Sequence, residues 1–360
     1  MEEKILQAVT LDFILTGLLC GALLGFVLQR GRLCMNSAFR DIIFMKDFIM
    51  FRAFLLALGV MIVGANYLND IGIIELKPQS FYPLANIIGG YLFGIGMVIA
   101  GGCGSGVTYR IGEGSIGAVS AFLGFFLGAG LTIEGVLSPL YRALRSVKLE
   151  IAGKANATLW EPFGDTMTIK WAVIAIVTVG ILLFILKAKP FSFGKQKGFY
   201  WSITGALVGL IGIFTFWASQ NWGGGFARGM NFTTPTAELF YSIFNSNAKS
   251  MFFPMVQMGP VSVTWAEFFV IGTPIGALIS AKILKEFSWK WPPTKEALTV
   301  FAGGVLMGFS GITGGGCNIG QGLTGVCTLS IGSISALIAM ILGNWTMVYF
   351  KFIRPMNDME

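Results

Sequence analysis

The chain has 360 residues, of which 54% are hydrophobic and only 12% are charged, and its mean hydropathy is +0.74. This composition excludes an ordinary soluble globular domain and indicates an integral membrane protein. The net charge of +7 does not require a nucleic-acid partner, because basic loops suit anionic lipid headgroups equally well. The absence of histidine excludes an imidazole base, a histidine metal ligand and a histidine proton relay.

Along the chain, nine stretches have the length and the apolar character that a membrane-spanning helix requires, about 20 residues each. In order they cover residues 12–29, 53–68, 84–101, 116–137, 171–187, 199–219, 263–281, 297–316 and 331–350. The sequence therefore predicts an all-α polytopic membrane protein with about nine transmembrane helices, joined by short helices and loops that re-enter the membrane.

The basic residues indicate an orientation, because cytoplasmic loops of membrane proteins are enriched in Lys and Arg. With the C-terminus in the cytoplasm and the N-terminus outside, the cytoplasmic segments hold sixteen of the 25 basic residues. These are Arg30, Arg32, Arg40, Lys46, Arg52, Arg110, Lys187, Lys189, Lys195, Lys197, Lys282, Lys285, Lys290, Lys295, Lys351 and Arg354. The first four residues, Met-Glu-Glu-Lys, lack the basic region of a cleaved signal peptide, so we expect the first span to be retained.

An internal repeat joins two distant parts of the chain. Residues 92–106, LFGIGMVIAGGCGSG, align with residues 306–320, LMGFSGITGGGCNIG, and SIGAVSAF from Ser115 aligns with SIGSISAL from Ser330. The first copy follows the third span and the second copy follows the eighth, so the two halves are inverted. We predict two pseudo-symmetric halves, residues 1–154 and 155–360, with a site near the membrane midplane.

Three of the five cysteines, Cys34, Cys103 and Cys317, interrupt apolar segments at polar or glycine-rich breaks. The other two, Cys20 and Cys327, fit the ordinary interpretation of a small buried thiol. Cys103 and Cys317 are related by the repeat, whereas Cys34 has no counterpart in the alignment. No CxxC motif is present, so neither a dithiol redox centre nor a zinc ribbon is supported.

Glycines flank the two repeat-related cysteines. Glycine allows a positive φ and a close approach of substrate to backbone amides, and the helix that follows each loop adds the positive end of its dipole. The alternative is helix packing through small residues, which suffices for Gly89, Gly90, Gly94 and Gly96. The candidate loop-backbone residues are Gly101, Gly102, Gly104, Gly315, Gly316 and Asn318.

Five polar residues are candidate anion contacts: Arg32, Arg40, Arg110, Thr233 and Thr236. Arg32 and Arg40 bracket Cys34 and also fit plain positive-inside anchoring. Thr233 and Thr236 lie in GMNFTTPTAEL, residues 229–239, which fits either a vestibule or a helix start with Thr234 as the N-cap.

These segments, GALLGFVLQRGRLCMNSAFRD, GGYLFGIGMVIAGGCGSGVTYRIGEG, TPTAEL and GGVLMGFSGITGGGCNIGQG, resemble the YeeE/YedE family of sulfur transporters, and its thiosulfate-importing branch in particular. The resemblance implies a bacterial inner-membrane permease in which Cys34, Cys103 and Cys317 line the thiosulfate path. It also implies a small cytoplasmic TusA-like sulfur carrier as a partner, with no cofactor, no metal and no enzymatic activity.

The chemistry is consistent with this resemblance, because a dianion crosses hydrocarbon only where donors replace its water. We expect Cys317 toward the outside, Cys103 near the middle and Cys34 toward the cytoplasm. Two alternatives stay open: a membrane-embedded sulfurtransferase that forms a cysteine persulfide, and a transporter of a related sulfur or selenium anion.

Overall fold

The computed structural model describes residues 11–151, 153–154, 156–187, 197–244, 256–258 and 261–358. Within them, nine helical spans are long and apolar enough to cross a membrane, as the sequence predicts. Residues 1–4, Lys189 and Lys195, used above for orientation, lie outside this described part of the chain. The α-helices are α1 (Leu11–Gly31), α2 (Met35–Phe44), α3 (Ile49–Asp70), α4 (Pro83–Ile99), α5 (Gly104–Gly112), α6 (Ile116–Ile133), α7 (Ser138–Leu144), α8 (Met167–Leu186), α9 (Trp201–Trp222), α10 (Thr233–Phe244), α11 (Trp265–Ile283), α12 (Thr294–Gly314), α13 (Ile331–Val348) and α14 (Arg354–Asn357).

Shorter elements complete the described chain. A 3₁₀ turn covers Glu161–Phe163, a π-helical segment covers Gly320–Gly325 and runs into a 3₁₀ turn at Val326–Thr328, and a second π-helical segment covers Tyr349–Ile353. Strands β1 (Val256–Met258) and β2 (Val261–Val263) form an antiparallel pair with Val256 opposite Val263.

Glycines hold four helices in close pairs. In α1, Gly21 and Gly25 lie against the backbone of Phe269 and Thr273 in α11, so closely that an added Cβ would collide. In α9, Gly205 lies against the Ala53 carbonyl of α3 in the same manner. Small residues thus let backbones approach each other where apolar side chains alone have no advantage over lipid.

The repeated segments meet through equivalent contacts. Gly94 of α4 packs on the Met340 carbonyl of α13, and Gly308 of α12 packs on the Phe125 carbonyl of α6. These four residues correspond pairwise in the sequence repeat, and α4 and α12 also contact each other. Both α6 and α13 begin with a serine N-cap, Ser115 and Ser330. The inverted repeat stays a prediction, and these contacts support it.

The helix α8 stands apart from the rest. Only 11% of its most apolar 18-residue window is buried, and its main helix partner is α3, which belongs to the first half. The eight spans other than α8 fall into two sets of four with matching contacts. The predicted boundary between residues 154 and 155 assigns α8 to the second half, and this assignment stays a prediction.

The loops gather on two opposite faces. On one face the loop after α7 bonds the segments before α4 and α13, through Leu149 N to Phe81 O (3.0 Å) and Ile331 N to Ala157 O (3.1 Å). On the other face Ser288 N donates to Glu113 O (3.2 Å) and Phe199 N donates to Arg30 O (3.0 Å). We call them the vestibule face and the arginine face.

Candidate functional site

Four short helical segments begin at the centre of the molecule. Cys34 immediately precedes α2 and Cys103 immediately precedes α5, and each has the extended backbone of an N-cap residue. Cys317 precedes the π-helical segment, and Asn231 precedes α10. All three cysteines are buried. Since each helix start carries unpaired N–H groups and the positive end of a dipole, the centre is an environment that favours an anion.

Cys34 and Cys103 form the first pair. Their thiols lie next to each other. Gly106 makes this contact possible, because a Cβ added there would lie 2.9 Å from Cys34 Sγ and 3.4 Å from Cys103 Sγ. Ser105 also faces the pair, with its Oγ 3.4 Å from Cys103 Sγ. The structure therefore brings together two cysteines that the sequence placed on separate loops.

Cys317 and Asn231 form the second pair. Cys317 Sγ lies 4.0 Å from Asn231 Oδ1 and accepts a hydrogen bond from Gly320 N at 3.5 Å. A Cβ added at Gly104 would lie 3.5 Å from Cys317 Cβ, so the start of α5 joins the two pairs. The three cysteines predicted from the sequence thus surround one region.

The flanking loop residues have distinct tasks. Gly101 (φ 72°) and Gly315 (φ 90°) hold left-handed turns that an L side chain rarely adopts. Gly102 lies against Val107, and Gly316 lies against Gln321. Asn318 donates from Nδ2 to Met97 Sδ (3.1 Å), while its buried Oδ1 has no partner among the described residues.

A cavity of about 400 Å³ opens above the second pair on the vestibule face. Gly315, Gly320 and Asn231 form its floor, so it reaches the Cys317 loop. Gln79 and Thr324 contribute polar side chains to the wall of the cavity. The cavity therefore reaches Asn231 and the glycines on either side of Cys317, Gly315 and Gly320, and we call it the vestibule.

Three basic residues line the vestibule: Lys77, Arg145 and Arg228. Arg228 is buried and bonds both carboxylate oxygens of Glu238 at 2.9 Å. Arg145 instead stacks on the rings of Tyr82 (4.4 Å) and Tyr141 (5.6 Å), which leaves its charge unneutralised by any carboxylate in the described part of the chain. Arg145 is therefore the vestibule cation best placed to attract an anion, whereas the exposed Lys77 is already paired with Glu75 at 3.6 Å.

Lys154, in the same loop, has another task. Its Nζ bonds Asp165 (2.7 Å) and Glu161 (3.1 Å), and these two carboxylates raise its pKa. Because its charge is already matched and it does not line the vestibule, we do not count it among the anion contacts.

The arginine face carries an ion-pair cluster. Arg32, with a left-handed φ of 52°, bonds Glu113 (2.7 Å) and Glu286 (2.5 Å), and Gln29 donates to both carboxylates. Arg40 pairs with Asp41 (2.8 Å). Both Arg32 and Arg40, predicted as anion contacts, thus have carboxylate partners in the structure. This favours the alternative interpretation, in which they act as positive-inside anchors.

Arg110 lies closer to the cysteines. Its Nη1 donates to the Gly101 carbonyl (2.8 Å), and its guanidinium faces Cys34 and the ring hydroxyl of Tyr109. It is thus the cation beside the Cys34 and Cys103 pair.

The two predicted threonines do not line the vestibule. Thr236 Oγ1 donates to the carbonyl of Phe232, the residue before α10, and the buried Thr233 Oγ1 has no partner among the described residues. Thr234 lines the cavity instead, and α10 begins at Thr233, so Thr234 is helical rather than the N-cap.

Sequence reasoning missed Asn231, Gln321 and Arg145. Asn231 stands two residues before Thr233 in a segment already noted, but no repeat signal marks it. Gln321 Nε2 donates to Gln79 Oε1 (2.8 Å) and Gly314 O (2.6 Å), contacts that depend on the fold. The available signal for Arg145 was a group of four basic residues close together in the sequence, Arg142, Arg145, Lys148 and Lys154.

Known proteins similar to this chain share one kind of function. The family described as "Sulphur transport" matches residues 30–346. The thiosulfate transporter TsuA of Spirochaeta thermophila is 34% identical over 347 residues, which cover 95% of this chain and 100% of that protein. The thiosulfate transporter TsuA of Escherichia coli is 32% identical over 360 residues, 96% of each chain. The probable transporter YedE of Escherichia coli is 34% identical over 100 residues, 28% of this chain and 24% of that protein.

Proposed function

The chain belongs to the sulphur transport family, and from this premise we propose that it is a permease that imports thiosulfate through the centre of its two halves. The observation that carries the proposal is the meeting of four helix starts at Cys34, Cys103, Cys317 and Asn231, of which Asn231 lines the vestibule. We infer the identity of the anion from the relatives, which are named thiosulfate transporters, and we infer its path from the geometry of the site.

The first step is capture in the vestibule. Arg145 raises the local concentration of an anion without binding it at a fixed point, because it is stacked on aromatic rings. The anion then meets the floor at Asn231 and Gly320. Weak attraction at this stage allows the anion to move on.

The second step is dehydration between the cysteines. A thiosulfate dianion loses its water only if other donors replace it. Backbone N–H groups at the helix starts supply the stronger hydrogen bonds, and thiols supply weak S–H donors to oxygen or sulfur. We call the position of the anion beside Cys317 and Asn231 the Cys317 stage. No fixed positive charge is needed there, so the anion binds weakly enough to be released.

The third step is transfer from the Cys317 stage to the pair of Cys34 and Cys103. The start of α5 touches Cys317 through Gly104, and the pair lies beyond it, beside Arg110. This order, with Cys317 first and Cys34 last, is the relay that the sequence predicts. Arg110 then attracts the anion toward the arginine face.

We further propose an orientation and a partner. The vestibule face lies outside and the arginine face lies in the cytoplasm of a bacterial inner membrane, with the N-terminus outside and the C-terminus inside. Basic residues on the arginine face support this orientation, because cytoplasmic loops are enriched in Lys and Arg. Among them are Arg32, Arg110, Lys285 and Lys290. A TusA-like sulfur carrier would then receive the sulfur compound at the arginine face.

The test is uptake by purified protein in proteoliposomes, with thiosulfate labelled at its terminal sulfur. A permease delivers intact labelled thiosulfate to the lumen in proportion to time. A sulfurtransferase would instead leave sulfite outside and the label on protein, and that result would reject the permease. Unlabelled sulfate, selenate and sulfite added as competitors then measure the selectivity. Empty liposomes give the background.

A further inference from the structure

The two halves place different residues at equivalent points of the path. Gly106 and Gly320 correspond in the sequence repeat, and each lies against one side chain from a distant segment. A Cβ at Gly106 would lie 2.9 Å from Cys34 Sγ, and a Cβ at Gly320 would lie 2.5 Å from Asn231 Oδ1. The side chain of Asn231 thus occupies, in the second half, the place that the Cys34 thiol occupies in the first.

The surrounding helices repeat this relationship. Cys34 precedes α2, a short helix between α1 and α3, and Asn231 stands two residues before α10, a short helix between α9 and α11. The helix α2 packs on α13 and α3, while α10 packs on α6 and α11. Since α6 corresponds to α13 in the repeat, α2 and α10 hold equivalent positions.

The Asn231 amide is held in place but keeps donor capacity. Its Oδ1 accepts from Thr233 N (3.0 Å), and its Nδ2 donates to Thr234 Oγ1 (3.1 Å). An Asn amide carries two N–H donors, and the second has no acceptor among the described residues. Asn231 is also part of the vestibule floor. A fixed amide with a spare donor beside Cys317 is suited to an oxyanion.

We propose that Asn231 is a specificity-determining residue that holds the oxygen end of the anion at the Cys317 stage. The proposal rests on the proposed function. An amide N–H is a stronger donor to oxygen than a thiol, whereas two thiols favour a soft sulfur atom. The outer stage therefore recognises the sulfonate oxygens, and the Cys34 and Cys103 pair recognises the terminal sulfur.

The test compares Asn231→Ala, Asn231→Cys and Asn231→Asp in proteoliposomes, with KM for thiosulfate and inhibition by sulfate as readouts. Asn231→Ala should raise KM about tenfold, since one hydrogen bond to a charged group is lost. Asn231→Asp should abolish uptake, because a carboxylate repels the anion and cannot donate. Asn231→Cys should retain uptake but lose most inhibition by sulfate, which offers only oxygens.

Matched controls separate this proposal from the proposed function. Asn221→Ala removes an exposed amide that bonds Trp217 O (2.9 Å) away from the vestibule, and it should leave both readouts unchanged. A wild-type protein without thiosulfate uptake would overturn the proposed function and this proposal together. A different result would overturn this proposal alone: the wild type is active, and every Asn231 variant that elutes as a folded protein in size exclusion keeps the wild-type KM and the wild-type inhibition by sulfate.

Discussion

The thiols of Cys34 and Cys103 contact each other at the starts of two different short helices, α2 and α5. Gly106, in the first turn of α5, leaves the space in which both sulfur atoms fit. The contact joins the end of α1 to the end of α4 and forms the inner stage of the proposed path. It also makes the path sensitive to small changes at its walls.

The contact predicts a specific disulfide. In a variant with Cys20, Cys317 and Cys327 replaced by alanine, diamide should oxidise the remaining Cys34 and Cys103, with the two electrons passing to the diamide. A disulfide needs an S–S distance of about 2 Å, so neighbouring thiols need move little. Mass spectrometry after alkylation should show the loss of two hydrogens. A variant that keeps only Cys20 and Cys327 should stay reduced, and equal cross-linking of both variants would contradict the arrangement.

Gly106→Ala should block uptake. The added methyl would lie 2.9 Å from Cys34 Sγ, closer than real Cβ contacts, so we expect the Cys34 thiol to shift from its place beside Cys103. Gly180→Ala is the control, because a Cβ there meets nothing within 4 Å, and in a helix this change should stabilise by about 0.5–1 kcal/mol. Rates of thiosulfate uptake per mole of folded protein measure both. Normal uptake by Gly106→Ala would mean that the pair is not on the path.

Arg145→Gln should raise KM for thiosulfate with little change in the maximal rate. The arginine attracts the anion from the vestibule wall, and such long-range attraction is screened by salt over about 8–10 Å. The difference between variant and wild type should therefore shrink as ionic strength rises. Arg142→Gln, three residues earlier in α7 and outside the vestibule lining, should behave as wild type. A maximal rate that falls while KM stays constant would place Arg145 outside the capture step.

Arg32→Gln should reduce stability rather than substrate affinity. Arg32 joins Glu113 and Glu286 across the arginine face, but its side chain is 49% exposed, so the loss should be on the order of 1 kcal/mol. Thermal unfolding in detergent measures the change, and Glu286→Gln should lower the melting temperature to a similar extent. If KM rises strongly at an unchanged melting temperature, Arg32 contacts the anion directly.

The sequence predicts the spans well because each one is a local property. A run of about 20 apolar residues needs no knowledge of its neighbours, and all nine predicted stretches overlap spans in the described chain. The glycine-rich breaks at Cys103 and Cys317 are visible for the same reason. The peripheral position of α8 was not predicted, although its mean hydropathy of 2.6 is the highest among the nine spans of the described chain.

The parts that escaped prediction are contacts between distant segments. Asn231 carries no sequence signal that relates it to Cys34, since the two halves have diverged in the loops before α2 and α10. The positions of Gly106 and Gly320 against their neighbours, together with the equivalent packing of α2 and α10, reveal the correspondence. The carboxylate partners of Arg32 likewise come from separate loops that the fold brings together.

The most direct test of the path is thiosulfate uptake by proteoliposomes that contain Cys34→Ala, Cys103→Ala or Cys317→Ala, each compared with Cys327→Ala. Cys327 is a buried cysteine that donates to Thr324 O (3.0 Å) away from the two pairs, so its variant should retain uptake once folded. Each of the other three should lose most uptake while eluting as a folded protein. Undiminished uptake in all three would contradict a path lined by these cysteines.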